Sequence, residues 1–600
     1  MPDSPTALPD GQLSFSISAD GQDLELGGGV YQLLSMEVTK GINRIGEAHL
    51  ELLDGDPTTG EYPATDAATL IPGVLIEIKA GYDDVTNSIF KGLVVSVNLV
   101  AYEGQAPRLR VICKDEAVKM SGSRVVLPFS AQTVSDSLTE VLGTYGGLSP
   151  AIASTSGTQA NLVQYNRSDW DFVVTQAEAN GQVVVSDGGT FSTLKLATSG
   201  SNVASLQYGN NVFSFDLQVN ARTQVAAVTA HSWSAEQQAD VSVTATDPGL
   251  TTPGNLTNKQ LATAVGQSSY VIRTAANVDE ATLQALADAY LAKRTLAKVQ
   301  GTVDMAGTSL VLPGTMVGLD GLGTRFNGNG YVSGVRHSIA DGKWMTQAML
   351  GTDEQWFAER FADVVPPAGA DGVASGVRGL YSAVVKATQP DPDGSFRVQV
   401  TVAELNEAEM WVRLASPYAS SGLGWYAFPE VGDEVVLGFF ADDARYPVIL
   451  GSMYSKGRAP AYTPDEKNSK KALVTSSKLK LEFDEEKKVI TLTTPGNNKL
   501  VISDDAKGLT LTDQQNNTIT MSDSGLTLES KSSLTIKAAQ DITIESSGGN
   551  VNLKAALDLK AQGLNISASA DSAITLKGNS QAELSSAAQT TVKGTMVMIN

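Results

Sequence analysis

From about Leu473 onward, apolar residues return in pairs separated by a single residue: Leu534 and Ile536, Ile542 and Ile544, Val551 and Leu553, Leu557 and Leu559, Leu564 and Ile566, Ile574 and Leu576. Successive pairs lie about eight residues apart. An i, i+2 pair places both side chains on one face of a strand, and the small and polar residues between pairs supply turns. A unit of four or five strand residues plus a turn cannot bury its own apolar stripe, so it must stack on copies of itself. Composition tightens the limit, because the stretch has no Arg and its last aromatic residue is Phe483. A conventional globular core cannot be built from it.

A single-chain parallel solenoid needs roughly 20 or more residues per coil. Eight are too few for that, but they can form one side of a three-sided prism whose other sides come from two further chains. Strand edges then pair between chains, and Ile and Leu meet on the axis. The expectation is a homotrimeric triple-stranded β-helix with Leu534, Ile536, Ile542, Ile544, Val551, Leu553, Ile574 and Leu576 in its trimer core. About fifteen strands stacked at roughly 4.8 Å would make a stiff needle on the order of 70 Å long.

Six hundred residues are too many for one hydrophobic core, and composition shifts along the chain suggest where it divides. Residues 1–127 alternate apolar and polar positions between Gly and Asp turns and read as a small β-barrel or sandwich. Residues 128–365 read as an α+β region. Its expected helices run from Thr133 to Leu142, from Ser168 to Asn180 with Asp171 completing a capping box, from Asp279 to Leu296, and from Asp353 to Phe361. A linker rich in Pro, Gly and small residues follows over 366–376. Residues 377–457 have the size and rhythm of a closed five-stranded barrel, 458–472 link onward, and 473–600 form the needle.

The formal net charge is −22. Nucleic-acid affinity rests on Lys and Arg neutralising phosphates, so nucleic acid is excluded as the expected partner. From Lys470 onward Lys balances Asp plus Glu, so the acidic surplus lies upstream. The single cysteine, Cys113, has no partner for an internal disulfide, and neither a leader nor a membrane-spanning apolar run is expected.

The sequence points to no catalytic or cofactor site. His49, His231 and His337 lie far apart, outside any cluster with metal-ligand spacing. The glycine-rich Gly321 to Gly328 reads as a hairpin turn rather than a phosphate loop. The acidic pairs Asp83/Asp84, Asp442/Asp443 and Asp504/Asp505 read as solvated turns, because neighbours on a strand point to opposite faces. The terminal Met596-Val597-Met598-Ile599-Asn600 reads either as one more core strand or as an exposed apolar tip.

Three segments in the small barrel carry a family likeness: Trp411-Val412-Arg413, Pro429-Glu430-Val431-Gly432-Asp433-Glu434-Val435, and Pro447 to Tyr454 (PVILGSMY). Upstream, Gln164 to Phe172 (QYNRSDWDF), Ala177 to Gly181 (AEANG) and Tyr331 to His337 (YVSGVRH) add to it. Together they resemble the VgrG proteins of type VI secretion, the spikes of extracellular contractile injection systems and the hub-plus-spike of contractile phage tails. The resemblance implies hub-like barrels over 1–365, an oligosaccharide/oligonucleotide-binding (OB) barrel and a mainly β multidomain fold. It also implies a spike without catalytic chemistry, whose head meets inner-tube and baseplate proteins and whose C-terminal apex, Met596 to Asn600, takes a PAAR-type tip protein. Effector cargo, assembly in the cytoplasm at the distal tip of a tail-like particle, and mechanical piercing of a target membrane on contraction follow from it. About twenty residues separate barrel from needle, too few for the lysozyme domain of the phage relative. No effector domain is expected after the needle. A receptor-binding fibre and a wall-cleaving enzyme are the competing classes. The enzyme would need clustered acids with Arg or aromatic sugar platforms, which the tail lacks.

Overall fold

The computed structural model describes residues 11–599 apart from 27–28, 275, 277 and 362–368. It divides into two compact units, Met1–Met453 and Tyr454–Asn600.

The first unit is organised by a 13-stranded sheet that crosses the expected division at residue 127. Its centre is the antiparallel pairing of Gln32–Gly41 with Gly328–Ala340, from Gly334 opposite Gly41 to Ala340 opposite Ser35. Around Gln32–Gly41 lie the strands Arg44–Leu53, Arg108–Lys114, Val85–Val100, Leu75–Tyr82 and Leu13–Ala19. Around Gly328–Ala340 lie Lys343–Leu350, Val299–Ala306, Val212–Val219 and Met316–Asp320. Gly334 has little room for a side chain. A Cβ there would lie 3.0 Å from the Met349 sulfur and 3.1 Å from the Lys40 carbonyl, so that a side chain would push its neighbours aside. Asp83 and Asp84, both at positive φ, make the two-residue turn from Leu75–Tyr82 into Val85–Val100. Gly321 to Gly328 joins the paired strands Met316–Asp320 and Gly328–Ala340 and is a hairpin connection, as its composition suggests.

Capping chemistry places the helices. Thr133 and Asp136 form a reciprocal capping box ahead of Val134–Leu142. Ser168 accepts from the Asp171 N–H at the start of Asp169–Ala179, but only that half of the expected box forms. Asp279 caps Glu280–Leu296, which buries Leu283, Ala287 and Leu291 against the small sheet of Val228–Ser234, Ala239–Thr244 and Tyr270–Arg273. The helix expected over Asp353 to Phe361 shrinks to Phe357–Arg360. The Asp353 carboxylate accepts from the Gln355 N–H in a turn, and the Trp356 N–H goes to Glu359, so local side-chain bonds displace the first helical turn.

Glu178, on the helix Asp169–Ala179, ties these parts together. It accepts from the Lys293 ammonium at 2.7 Å, from Asn43 Nδ2 at 2.9 Å and from the Phe357 N–H at 2.7 Å. Both ionic partners are buried. Desolvation lowers the Lys293 pKa, and Glu178 opposes that. Such a pair is a weak source of net stability but expensive to break. Lys293→Ala should therefore destabilise the head by about 3–5 kcal/mol, whereas Lys293→Met with Glu178→Leu should recover most of the loss. Denaturant unfolding of the two variants measures this, and a cost below about 1 kcal/mol for the single change would remove the pair from the account.

The same unit contains a closed barrel of Tyr381–Ala387, Val398–Val402, Ala408–Leu414, Pro447–Ser452 and Glu434–Phe439. Alternating residues of these strands, among them Val385, Val400, Val412, Leu437 and Ile449, fill its core. Asp443 departs from the solvated turn expected of it. Its side chain is buried and forked by Arg445, with Nη2 to Oδ2 at 2.6 Å, which holds its carboxyl below the usual range.

The second unit opens with an antiparallel meander of seven five-residue strands, from Lys470–Val474 to Gly525–Glu529, each paired with the next. This corrects the expectation that strand edges pair between chains throughout 473–600. Alternate strands start at Lys470, Val489 and Gly508, nineteen residues apart. The first five connections have four or five residues with a positive-φ Lys or Asn, and the last is a two-residue turn ahead of positive-φ Gly525. From Ser530 the character changes. Six-residue extended segments alternate with bends, as at 531–532, 539–540, 571–572, 579–580 and 587–588. Among the described residues this stretch forms no strand within the chain.

Candidate functional site

In the meander, period-2 alternation sorts side chains onto two faces. One row of cross-strand partners runs Leu473, Leu481, Leu492, Leu500, Leu511, Ile519 and Leu528. A second runs Phe483, Ile490, Ile502, Leu509, Met521 and Leu526 on the same face. The opposite face carries Glu482, Thr491, Val501, Thr510, Thr520 and Thr527. None of the described residues covers the two apolar rows: Leu492 is 45 % exposed and Leu511 49 %. A sheet face this apolar is a contact surface rather than a solvent face.

Ion pairs on the other face fix the register of the first hairpin. Lys470 lies 2.8 Å from Glu482 and 2.7 Å from Asp484. Lys480 reaches Glu482 at 2.8 Å, and the Tyr462 hydroxyl donates to it at 2.5 Å. Lys470, then Lys480 and Tyr462, pull the Glu482 carboxyl down to about 2. These groups are too exposed to contribute much energy, but they penalise a one-residue slip that would turn the apolar rows outward.

Beyond Glu529 every expected core residue is exposed in the single chain, including Leu534 (60 %), Ile544 (68 %) and Leu576 (87 %). Ile536, Ile542, Val551, Leu553 and Ile574 are exposed as well. The described residues from Ser530 on make no backbone–backbone hydrogen bond within the chain. Extended backbone with unpaired N–H and C=O groups and bare Ile and Leu is not a stable end state in water. Met596, Val597, Met598 and Ile599 close the described chain, all exposed, and Asn600 lies outside the described residues.

The sequence reading passed over the meander rows, though their signal is the same. Leu481/Phe483, Ile490/Leu492, Leu500/Ile502, Leu509/Leu511, Ile519/Met521 and Leu526/Leu528 are also i, i+2 pairs. Their spacing of seven to ten residues overlaps that of the later pairs, so spacing alone does not tell the hairpins from the stretch after Glu529.

The motif residues upstream act on structure. Buried Gln164 donates to Asp169 Oδ1 at 2.6 Å, Tyr145 donates to Asp169 Oδ2 at 2.5 Å, and Phe172 stacks on Phe129. In the barrel, Glu430 to Asp433 forms a turn closed by the Asp433 N–H on the Glu430 carbonyl, with Gly432 at φ +86°. The three histidines are not brought together. His337 is buried beside Thr346, and burial pushes its imidazole down to about 3. His231 pairs with Asp240 at 2.7 Å, and His49 is exposed. Among the described residues no group of three His, Cys, Asp or Glu is placed to hold a metal.

Three family models match the chain: the Alg8 N-terminal domain over residues 9–341, more than half of the chain; the type VI secretion system/phage-baseplate injector OB domain over 381–454; and the phage baseplate V C-terminal trimerisation domain over 489–537. Residues 381–454 and 489–537 thus match domains of contractile-injection machines, and the curated relatives that match are VgrG proteins. Residues 9–341 belong to the family described as the Alg8 N-terminal domain.

Two curated VgrG relatives show how far the likeness extends. The actin cross-linking toxin VgrG1 of Vibrio cholerae is 34 % identical over 71 residues, 12 % of this chain and 6 % of that protein. The type VI secretion system spike protein VgrG5 of Pseudomonas aeruginosa is 34 % identical over 82 residues, 13 % of this chain and 10 % of that one. The chain therefore spans a tenth or less of the length of these relatives. Among solved structures, a tail protein from Neisseria meningitidis aligns at 15 % identity and a TM-score of 0.43, covering 57 % of this chain and 98 % of its own. A component of the Escherichia coli type VI secretion system aligns at 13 % identity and a TM-score of 0.37, covering 73 % and 99 %. Within this chain, the trimerisation model falls on the strands whose apolar rows are bare, and it ends at Lys537.

Proposed function

We propose that three copies of this chain form the central spike of a contractile injection machine and that the chain performs no catalysis of its own. The observation that carries the reading is the second unit. An apolar sheet face and then an extended stretch with bare apolar pairs follow an injector-type barrel, and the trimerisation family matches 489–537. Three chains would close the meander faces on one another and wind the residues after Glu529 into a prism. Leu534, Ile536, Ile542, Ile544, Val551, Leu553, Ile574 and Leu576 would then point to the axis. The division into hub-like regions 1–127 and 128–365, linkers 366–376 and 458–472, barrel 377–457 and needle 473–600 belongs to this proposal, with residues 362–368 outside the described part.

In this reading the acidic head joins inner-tube and baseplate proteins, the particle is assembled in the cytoplasm, and the spike with any effector cargo is driven outward or into a target cell. A PAAR-type tip protein would cover Met596, Val597, Met598, Ile599 and Asn600, because adaptable Met side chains on an unpaired edge need a cap. Deleting Thr595 to Asn600 should abolish capture of the tip protein in a pull-down while the trimer persists. Loss of the trimer would instead make Met596 and Met598 ordinary core residues. The assignment as a whole is tested by imaging native particles with a label on the head, which should mark the axis at the tail tip. A label on side fibres would favour the adhesin class.

A further inference from the structure

The head contains a cavity of about 540 Å³ that the spike reading does not use. Its floor is rigid. Asn43 is clamped three ways: its N–H donates to the Val184 carbonyl, its Oδ1 accepts from the Val184 N–H, and its Nδ2 donates to Glu178; the Ile42 N–H bonds the Ser333 carbonyl at 2.9 Å. The Lys293–Glu178 pair closes one side. Ile42, Leu196, Met349, Phe357 and Phe361 give it an apolar wall.

The charge of the lining is opposite to that of the chain. Lys40, Arg44, Lys293 and Arg360 face the cavity against only Glu178 and Asp353, in a protein of net charge −22. Lys40 and Lys293 are buried in their pairs with Asp187 and Glu178. Arg44 and Arg360 are different: about half of each side chain is exposed, and each meets its carboxylate, Glu47 or Asp353, through Nη2. A guanidinium carries five donors in a planar fork suited to a bidentate oxyanion, so both retain donors to offer. A volume in the range of small-molecule sites, an apolar wall and a few convergent polar groups are the usual features of a binding pocket.

We propose that this cavity binds a small amphiphile with an apolar body and an oxyanion head, the body against Met349 and Phe357 and the head forked by Arg44 and Arg360. This does not depend on the spike assignment. Carboxylate and phosphate heads share the required chemistry, so decanoate and decyl phosphate are the probes, with decanol as the neutral control. Calorimetric titration of the full-length chain should give saturable binding of one or both anions at one site per chain, at least about tenfold tighter than decanol. Arg44→Gln combined with Arg360→Gln should weaken that binding by about tenfold or more and leave the oligomeric mass unchanged. Ala289→Leu, which fills the wall without touching a charge, should weaken anions and decanol alike. The relative preference for the two anions identifies the head. The proposal is overturned if neither anion saturates at millimolar concentration, if decanol binds as tightly, or if the folded double-arginine variant, or Ala289→Leu, binds as the parent does.

Discussion

Leu511→Asp is expected to leave the chain as a folded monomer at concentrations where the parent is a trimer. Leu511 sits in the middle of the longer apolar row, between Leu500 and Ile519, on a face that its own chain leaves bare. Burying the exposed half of a leucine contributes about 1 kcal/mol, and a threefold assembly loses that three times. The larger cost is the carboxylate, since each ion taken from water without a partner costs several kcal/mol and symmetry brings three like charges together. The sum is of order 10 kcal/mol, several decades in an association constant at 1.4 kcal/mol per tenfold. Thr510→Asp, one residue away on the opposite face, should leave the trimer intact. Sedimentation velocity separates the two outcomes, and a trimeric Leu511→Asp would show that the rows face something other than sister chains.

Amide exchange in the last seventy or so residues should depend on assembly to an unusual degree. The described residues after Glu529 have no backbone partner within their own chain, so a lone chain would exchange there at near free-peptide rates. If sister chains supply the partners, the extended segments between bends should be protected by at least about 10³-fold, equivalent to roughly 4 kcal/mol of opening free energy. Ile574→Asp should collapse that protection around its own segment and toward the chain end while the strands up to Glu529 keep theirs. Fast exchange of 533–594 in the assembled parent would mean that the stretch is not intertwined.

Much of this architecture was legible because it is written locally. The apolar pairs after Leu534 and the bends between them share one period of about eight residues, and the caps Thr133, Ser168 and Asp279 stand where their helices begin. What was missed depends on pairing at a distance or on side chains competing with the backbone. No local pattern announces that Gln32–Gly41 pairs with Gly328–Ala340, since strand partners carry complementary edges rather than matching words. The helix over Asp353 to Phe361 was displaced by turns bonded to Asp353 and Glu359. Asp443 looked like a solvated acid because Arg445, two residues on, pairs with it only once the turn has folded. The meander was read as the start of the prism because Leu/Ile pairs occur in both. Pairing separates them: the strands up to Glu529 bond to one another within the chain, and the described segments after it do not.

The central claim is that this polypeptide closes its apolar faces only in threes. Sedimentation equilibrium of the full chain at micromolar concentration, without tip protein or cargo, measures that directly. The account predicts one species at three times the 62.8 kDa of the chain. A stable species at 62.8 kDa would contradict it.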